Sequence, residues 1–303
     1  MGWFRIAICR QAEHMLANDR YAMIYAIVFA LLPCMSWLAV AIVALISLRN
    51  GWCSGGLLLI QLMSLSFLCI AYYVSFNMAL IDVTLTFVPC YLAANILRFT
   101  ASWRALAVFF FLQALTVVLV LQLFMPKFIL AQYLYLQAVV SELKISDSLS
   151  SLFSLKEATN QIVVANYLLG IQVVGVVFST LLSLICARAM QSQLFYPGGF
   201  RLEVLNFRAD KIGLLLCIGL VIAVKLQSML AVSLLPLALF YFLLAGLSLS
   251  LRLLVKSKLM HPMILLIASL FLLPFIMFPV YAILGLLDSV FNFRAYLLVS
   301  VDK

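Results

Sequence analysis

Charge is what this chain has least of. Of 303 residues, 10% are charged and 67% are hydrophobic, with a mean hydropathy of +1.22. A water-soluble domain is about half apolar and about a quarter charged, so this sequence has too little polar surface to fold in water. Motifs for chemistry are equally scarce. The two histidines, His14 and His261, lie far apart, and the seven cysteines form no C-x-x-C pair. That excludes the usual disulfide frameworks and zinc ligand sets, and small apolar packing is the expected role of the cysteines. No G-x-x-x-x-G-K-[ST] loop is present, which argues against ATP hydrolysis by this chain. No acid–base pair or metal cluster stands out at one depth, so no catalytic residue, metal or other cofactor is expected and the chain is read as a non-enzyme.

What is there is a series of long apolar runs from Tyr21 to Leu287, with charges concentrated in the gaps. A bilayer core about 30 Å thick takes about 20 helical residues to cross. Backbone groups in lipid must be bonded internally, so a span is a helix or part of a closed barrel. Barrel strands alternate polar and apolar residues. Stretches such as 105–125 are apolar on all sides, which predicts an all-α, polytopic integral membrane protein with about seven or eight transmembrane segments. The whole of 1–303 reads as one membrane domain. The first run is too long for a cleavable signal and is expected to be retained.

Proline and polar residues divide the runs. Segment 21–48 would be about 42 Å long as one helix, and Pro33 lies inside it, so it is one kinked helix or a broken hairpin. Segment 56–97 holds two spans with a turn near Ser75, Phe76 and Asn77, and Pro89 is expected to kink the second. After span 105–125, the connection 126–160 has charges that balance, and 128–143 has the composition of a surface amphipathic helix. Span 161–186 leads into a basic gap at 188–211. Segment 212–251 holds two more spans, turning near Leu226, Gln227 and Ser228. The last, 262–287, contains Pro274 and Pro279, so it too is expected to be proline-broken. Residues 1–20 suit an interfacial segment.

The net charge of +9 points to topology rather than nucleic acid, because cytoplasmic loops collect Lys and Arg. The basic gaps at Arg98/Arg104, 188–211 and 252–258 fall on one side, assigned to the cytoplasm, and 126–160 falls outside. With Arg49 also inside, a basic N-terminus joins it only if 21–48 is a hairpin.

Two ionisable residues lie within the runs, Asp82 and Lys225, each near an outer turn. Intramembrane charges are functional candidates by default, although a lysine at that depth also snorkels to water. With Asn77, Tyr72 and Tyr73 they form the candidate ligand pocket. Asn95, Asn166, Tyr167, Gln172 and Tyr241 are expected to bond between helices, and Gly170, Gly175, Ser179, Ala245 and Gly246 to let helices approach closely. The most distinctive local pattern is Tyr196-Pro197-Gly198-Gly199-Phe200, a non-helical turn flanked by Arg188 and Arg201. It is the candidate loop for docking a cytoplasmic coupling protein, or for meeting lipid head groups.

The stretch from Ala187-Arg188 through Tyr196–Arg201 to Phe207-Arg208 resembles the proteobacterial branch of the YybS-like bacterial membrane family. So do Phe240–Gly246, Leu286–Arg294, Leu31-Leu32-Pro33 and Leu48–Gly51. In the closing stretch Asn292 occupies the place of an expected Asp, and Asn50 that of a second basic residue. The resemblance implies a multi-pass protein of the bacterial inner membrane. It also implies a distant likeness to the substrate-binding subunits of energy-coupling-factor vitamin transporters, which bind a small solute from outside and rely on a separate ATPase. The expectation is therefore a solute-binding or transport component. The alternative is a non-transporting scaffold or assembly factor that binds a cytoplasmic partner through Pro197–Phe200.

Overall fold

The computed structural model describes residues 19–32, 35–142, 158–257 and 262–295. Expectations for the interfacial segment 1–18, for Pro33 itself and for His14, His261 and Lys258 lie outside the described residues. Twelve α-helices follow one another among the described residues, with no strand. They are α1 (Asp19–Leu31), α2 (Ser36–Arg49), α3 (Trp52–Ala71), α4 (Phe76–Thr100), α5 (Trp103–Phe124) and α6 (Pro126–Glu142). Then come α7 (Ala158–Phe195), α8 (Gly199–Asn206), α9 (Lys211–Lys225), α10 (Met229–Lys256), α11 (Pro262–Leu272) and α12 (Pro274–Phe291). A 3₁₀ turn at Phe293–Ala295 ends the described chain. Six helices are long and apolar enough to cross a membrane: α3, α4, α5, α7, α10 and α12. Helices α1, α2 and α11 are shorter but equally apolar. The chain is thus an all-helical polytopic membrane protein.

The helices form two compact units. One comprises 1–109 and 175–204, the other 110–174 and 205–303. Helices α5 and α7 run through both.

In the first unit α2 is the core. Residues Ala39 to Leu48 are all buried, as expected of a helix that is apolar all round. It packs against α1, α3 and α4. The run 21–48 is therefore two helices laid against each other, broken between Leu31 and Ser36. Two latches close the end where α2 turns into α3. The Tyr91 hydroxyl of α4 donates to the Trp52 carbonyl at 2.9 Å, and Arg98 reaches the Ser47 carbonyl at 3.4 Å. Segment 175–195 of α7 joins through the Ser183 hydroxyl, which donates to the Trp37 carbonyl at 2.9 Å.

In the second unit α10 is the most buried element, and α12 lies along it. Gly246 and Gly285 permit the approach. A Cβ on Gly246 would sit 1.8 Å from the Tyr281 carbonyl oxygen, and one on Gly285 would sit 2.0 Å from that of Phe242. The expected break in the last run falls at Pro274, which occupies the first turn of α12 after Leu273, a residue outside the helical region at φ −132° and ψ +57°. Proline is pre-organised for that position and pushes its predecessor out of the helical region. Gln227, at φ +60°, reverses the chain between α9 and α10, within the turn expected from the sequence. Gly175 does not serve close packing: no atom of a described residue would lie within 4 Å of its Cβ.

Candidate functional site

Helices α1 to α4 of the first unit line a half-open cavity of about 310 Å³. Its lining follows helical spacing. Asp82 and Thr86 stand one turn apart on one face of α4, with Val83 and Phe87 beside them. Ser66, Cys69 and Tyr73 face it from α3 and the turn after it, and Ser36 from the start of α2. Phe87 is 2% exposed and forms the floor, whereas Tyr73 is 84% exposed and stands at the mouth. Asp82 is the one acidic or basic side chain that the described residues place in this lining. Among the described residues it has no ion-pair partner. The Thr86 hydroxyl, which would otherwise be a neighbouring donor, bonds back to the Asp82 carbonyl at 2.8 Å.

Of the other candidate pocket residues, Tyr72 is equally exposed, its ring edge-on to Tyr73 at 5.1 Å. Asn77 is exposed in the first turn of α4. Neither lines the cavity. Lys225 belongs to the second unit, exposed in the last turn of α9, where its charge favours the helix C-terminus.

The Tyr196–Phe200 turn lies between α7 and α8. Within the basic gap 188–211, α7 runs on past Arg188 to Phe195 and α8 follows the turn. Gly198 has φ +91°, which glycine adopts without cost. Ser192 ties the turn from both sides, donating to the Tyr196 carbonyl at 2.9 Å and accepting from the Phe200 N–H at 3.0 Å. Tyr196, Pro197, Gly198 and Arg201 are exposed. Arg188 is half-buried and engaged by Glu203 through a two-pronged pair at 2.5 and 3.2 Å. The Trp103 indole N–H also donates to Glu203, at 2.9 Å. Burial works against this carboxylate, but the bonds from Arg188 and Trp103 outweigh it and hold Glu203 below its ordinary range. The turn is thus an ordered projection on a fixed base.

The second unit holds a polar cluster that sequence reasoning missed. Asp288 is fully buried and Arg294 is 7% exposed. Arg294 donates to Asp288 Oδ2 at 2.8 Å, to the Leu205 carbonyl at 2.7 Å, and to the Ala245 carbonyl and Ser248 hydroxyl at 3.3 Å each. Arg208 donates to the Asp288 carbonyl at 2.8 Å and the Ser289 carbonyl at 3.1 Å, satisfying the open end of α12. Burial draws the Arg294 guanidinium down from its ordinary value, and Asp288 draws it back up. A second network joins α5, α7 and α10: Gln122 donates to Asn166 at 2.7 Å, and Ser233 to the Asn166 carbonyl at 3.0 Å. Among the described residues no three His, Cys, Asp or Glu side chains converge on a metal position.

No family model, curated protein or solved structure matches this chain. What defines it is its class: a polytopic, all-helical membrane protein with a carboxylate-bearing cavity in one of its two units.

Proposed function

We propose that the chain is the solute-binding component of a membrane uptake system whose energy comes from a separate ATPase. The observation that carries this reading is the cavity between α1, α2, α3 and α4, with Asp82 on its wall. A carboxylate facing hydrocarbon is costly, and one facing a water-filled cavity is not. Pockets of about 300 Å³ and upward suit small molecules. The resemblance to YybS-like proteins, and through them to energy-coupling-factor binding subunits, agrees with this role. On the same reading the protein resides in the bacterial inner membrane, carries out no catalytic step of its own and takes its solute from outside. Its basic loops face the cytoplasm.

The exposed Tyr196–Gly198 turn on its fixed base also supports a scaffold that binds a cytoplasmic protein. One experiment separates the two. The full chain is captured from mildly solubilised membranes, and co-purifying proteins and small molecules are read together by mass spectrometry. Gly198→Ala/Gly199→Ala serves as the control. A retained metabolite with an ATPase subunit supports uptake. Proteins of other kinds, lost in the control and without any metabolite, support the scaffold and overturn the first reading.

A further inference from the structure

We infer that the cavity of the first unit selects a small organic monocation, with its ammonium group held at Asp82; this rests on the solute-binding reading above. Three features converge on that chemistry. The lining carries one formal charge, and it is negative. Among the described residues no arginine, lysine or histidine lines the cavity, and no ion pair involves Asp82. The carboxylate is therefore uncompensated within its own site.

The rest of the lining fits the rest of such a ligand. Ser36, Ser66 and Thr86 offer hydroxyl oxygens, and the Thr86 hydroxyl, already donating to the Asp82 carbonyl, keeps its lone pairs for a ligand donor. Tyr73 at the mouth and Phe87 at the floor are aromatic, and aromatic faces attract cations within about 6 Å. An anion meets the opposite field. Asp82 is itself exposed toward the open side of the cavity, and bringing an anion beside it sets two like charges together, which repel. A neutral solute of the same shape gains the apolar and hydroxyl contacts but leaves the carboxylate without a counter-charge. A volume of about 310 Å³ accommodates one compact molecule.

Matched pairs of solutes test the charge preference directly. The full chain in lipid nanodiscs is titrated with choline and its uncharged isostere 3,3-dimethyl-1-butanol, with benzylamine and benzyl alcohol, and with the anion benzoate. Binding is read from ligand-dependent thermal stabilisation and by equilibrium dialysis. The cation of each pair is expected to bind at least about tenfold more tightly than its neutral partner, a difference of about 1.4 kcal/mol. Asp82→Asn is expected to abolish that preference, and Asp82→Glu to keep it. Ser66→Phe, which fills the cavity and leaves Asp82 in place, is expected to remove binding of every solute. Equal binding of neutral and cationic partners, unaltered by Asp82→Asn, overturns cation selectivity and leaves solute binding standing. Failure of every solute to bind the wild-type chain overturns both. Should Asp82→Asn not fold, the comparison of the pairs on wild type and Asp82→Glu still decides.

Discussion

Arg294 folds back onto Asp288, six positions earlier in the chain, and the two bond at 2.8 Å with neither side chain open to solvent. Six residues is not a spacing that shares one helix face. The contact exists because Asn292 takes a left-handed conformation, φ +51°, and ends α12. Asparagine tolerates that conformation better than most residues. Arg294 then spends its remaining N–H groups on the carbonyls of Leu205 and Ala245 and on Ser248. One side chain thereby ties the ends of α8 and α12 to the middle of α10.

Breaking such a pair leaves an uncompensated buried charge, at a cost of about 3–5 kcal/mol. Arg294→Ala is expected to lower the stability of the detergent-solubilised protein by that amount. The double variant Asp288→Leu/Arg294→Met is expected to recover part of the loss, since no lone charge remains. Thermal unfolding of the two variants beside wild type provides the comparison. An Arg294→Ala protein that unfolds at the wild-type temperature would contradict the buried pair.

The glycines give a prediction with opposite signs at two positions. Gly285→Ala drives a methyl group to 2.0 Å from the Phe242 carbonyl oxygen. Both sides of that contact are helix backbone, so α10 and α12 must separate, and overpacking of this kind costs about 1–3 kcal/mol or more. Gly175→Ala places its methyl in open space, and the change is expected to be neutral or to stabilise by up to about 1 kcal/mol through helix propensity. If both variants unfold alike under the same conditions, the close crossing of α10 and α12 is wrong.

These two cases mark what the sequence made legible. Apolar runs bounded by polar residues gave the helices, because lipid leaves the backbone no other choice. Proline and short polar stretches gave the turns at Tyr72–Ser75 and Leu226–Ser228 and the breaks near Pro33 and at Pro274. The cavity was half legible. Asp82 and Tyr73 were singled out, and both line it. Ser36, Ser66 and Thr86 were not, since a hydroxyl in an apolar helix gives no sign of which neighbour it faces.

The partners of charged side chains were not legible. Arg188 lies just past the expected span 161–186, within the part of α7 that continues to Phe195, and its partner Glu203 stands fifteen residues on. Arg294 lies beyond the last apolar run. Nothing in the order of residues reveals that its counter-charge is buried beside it.

The network of Gln122, Asn166 and Ser233 offers a milder perturbation. Hydrogen bonds between membrane helices average about 0.6 kcal/mol and reach about 1.7. Asn166 receives Gln122 on its side chain and Ser233 on its carbonyl. Asn166→Ala removes the bond from Gln122, the longer one from Ser233 to the same side-chain oxygen at 3.4 Å, and the bond from the Asn166 amide to the Ile162 carbonyl within α7, and it leaves Ser233 on the Asn166 carbonyl. The expected destabilisation is therefore about 1 kcal/mol, well under that of Arg294→Ala. A loss as large as that of Arg294→Ala would mean that Asn166 anchors more than this network.

Glu203 supplies a prediction in pH. Its carboxyl is held below the ordinary range by Arg188 and Trp103, so the folded state binds its proton less readily than the unfolded chain. A group shifted this way contributes stability that is fully present above its unfolded pKa and is lost as pH falls through the folded one. Stability of the wild-type protein should thus decline on acidification below the usual carboxylate range. Glu203→Gln should lack that component of the decline while starting less stable at neutral pH. The indole of Trp103 reports the same event, because its N–H bonds to Glu203. In a variant with Trp103 as the sole tryptophan, fluorescence should shift over the same acid interval, and Glu203→Gln should remove the shift. A fluorescence change that persists at the same pH in Glu203→Gln would assign the titration to another group and break the link between Trp103 and Glu203.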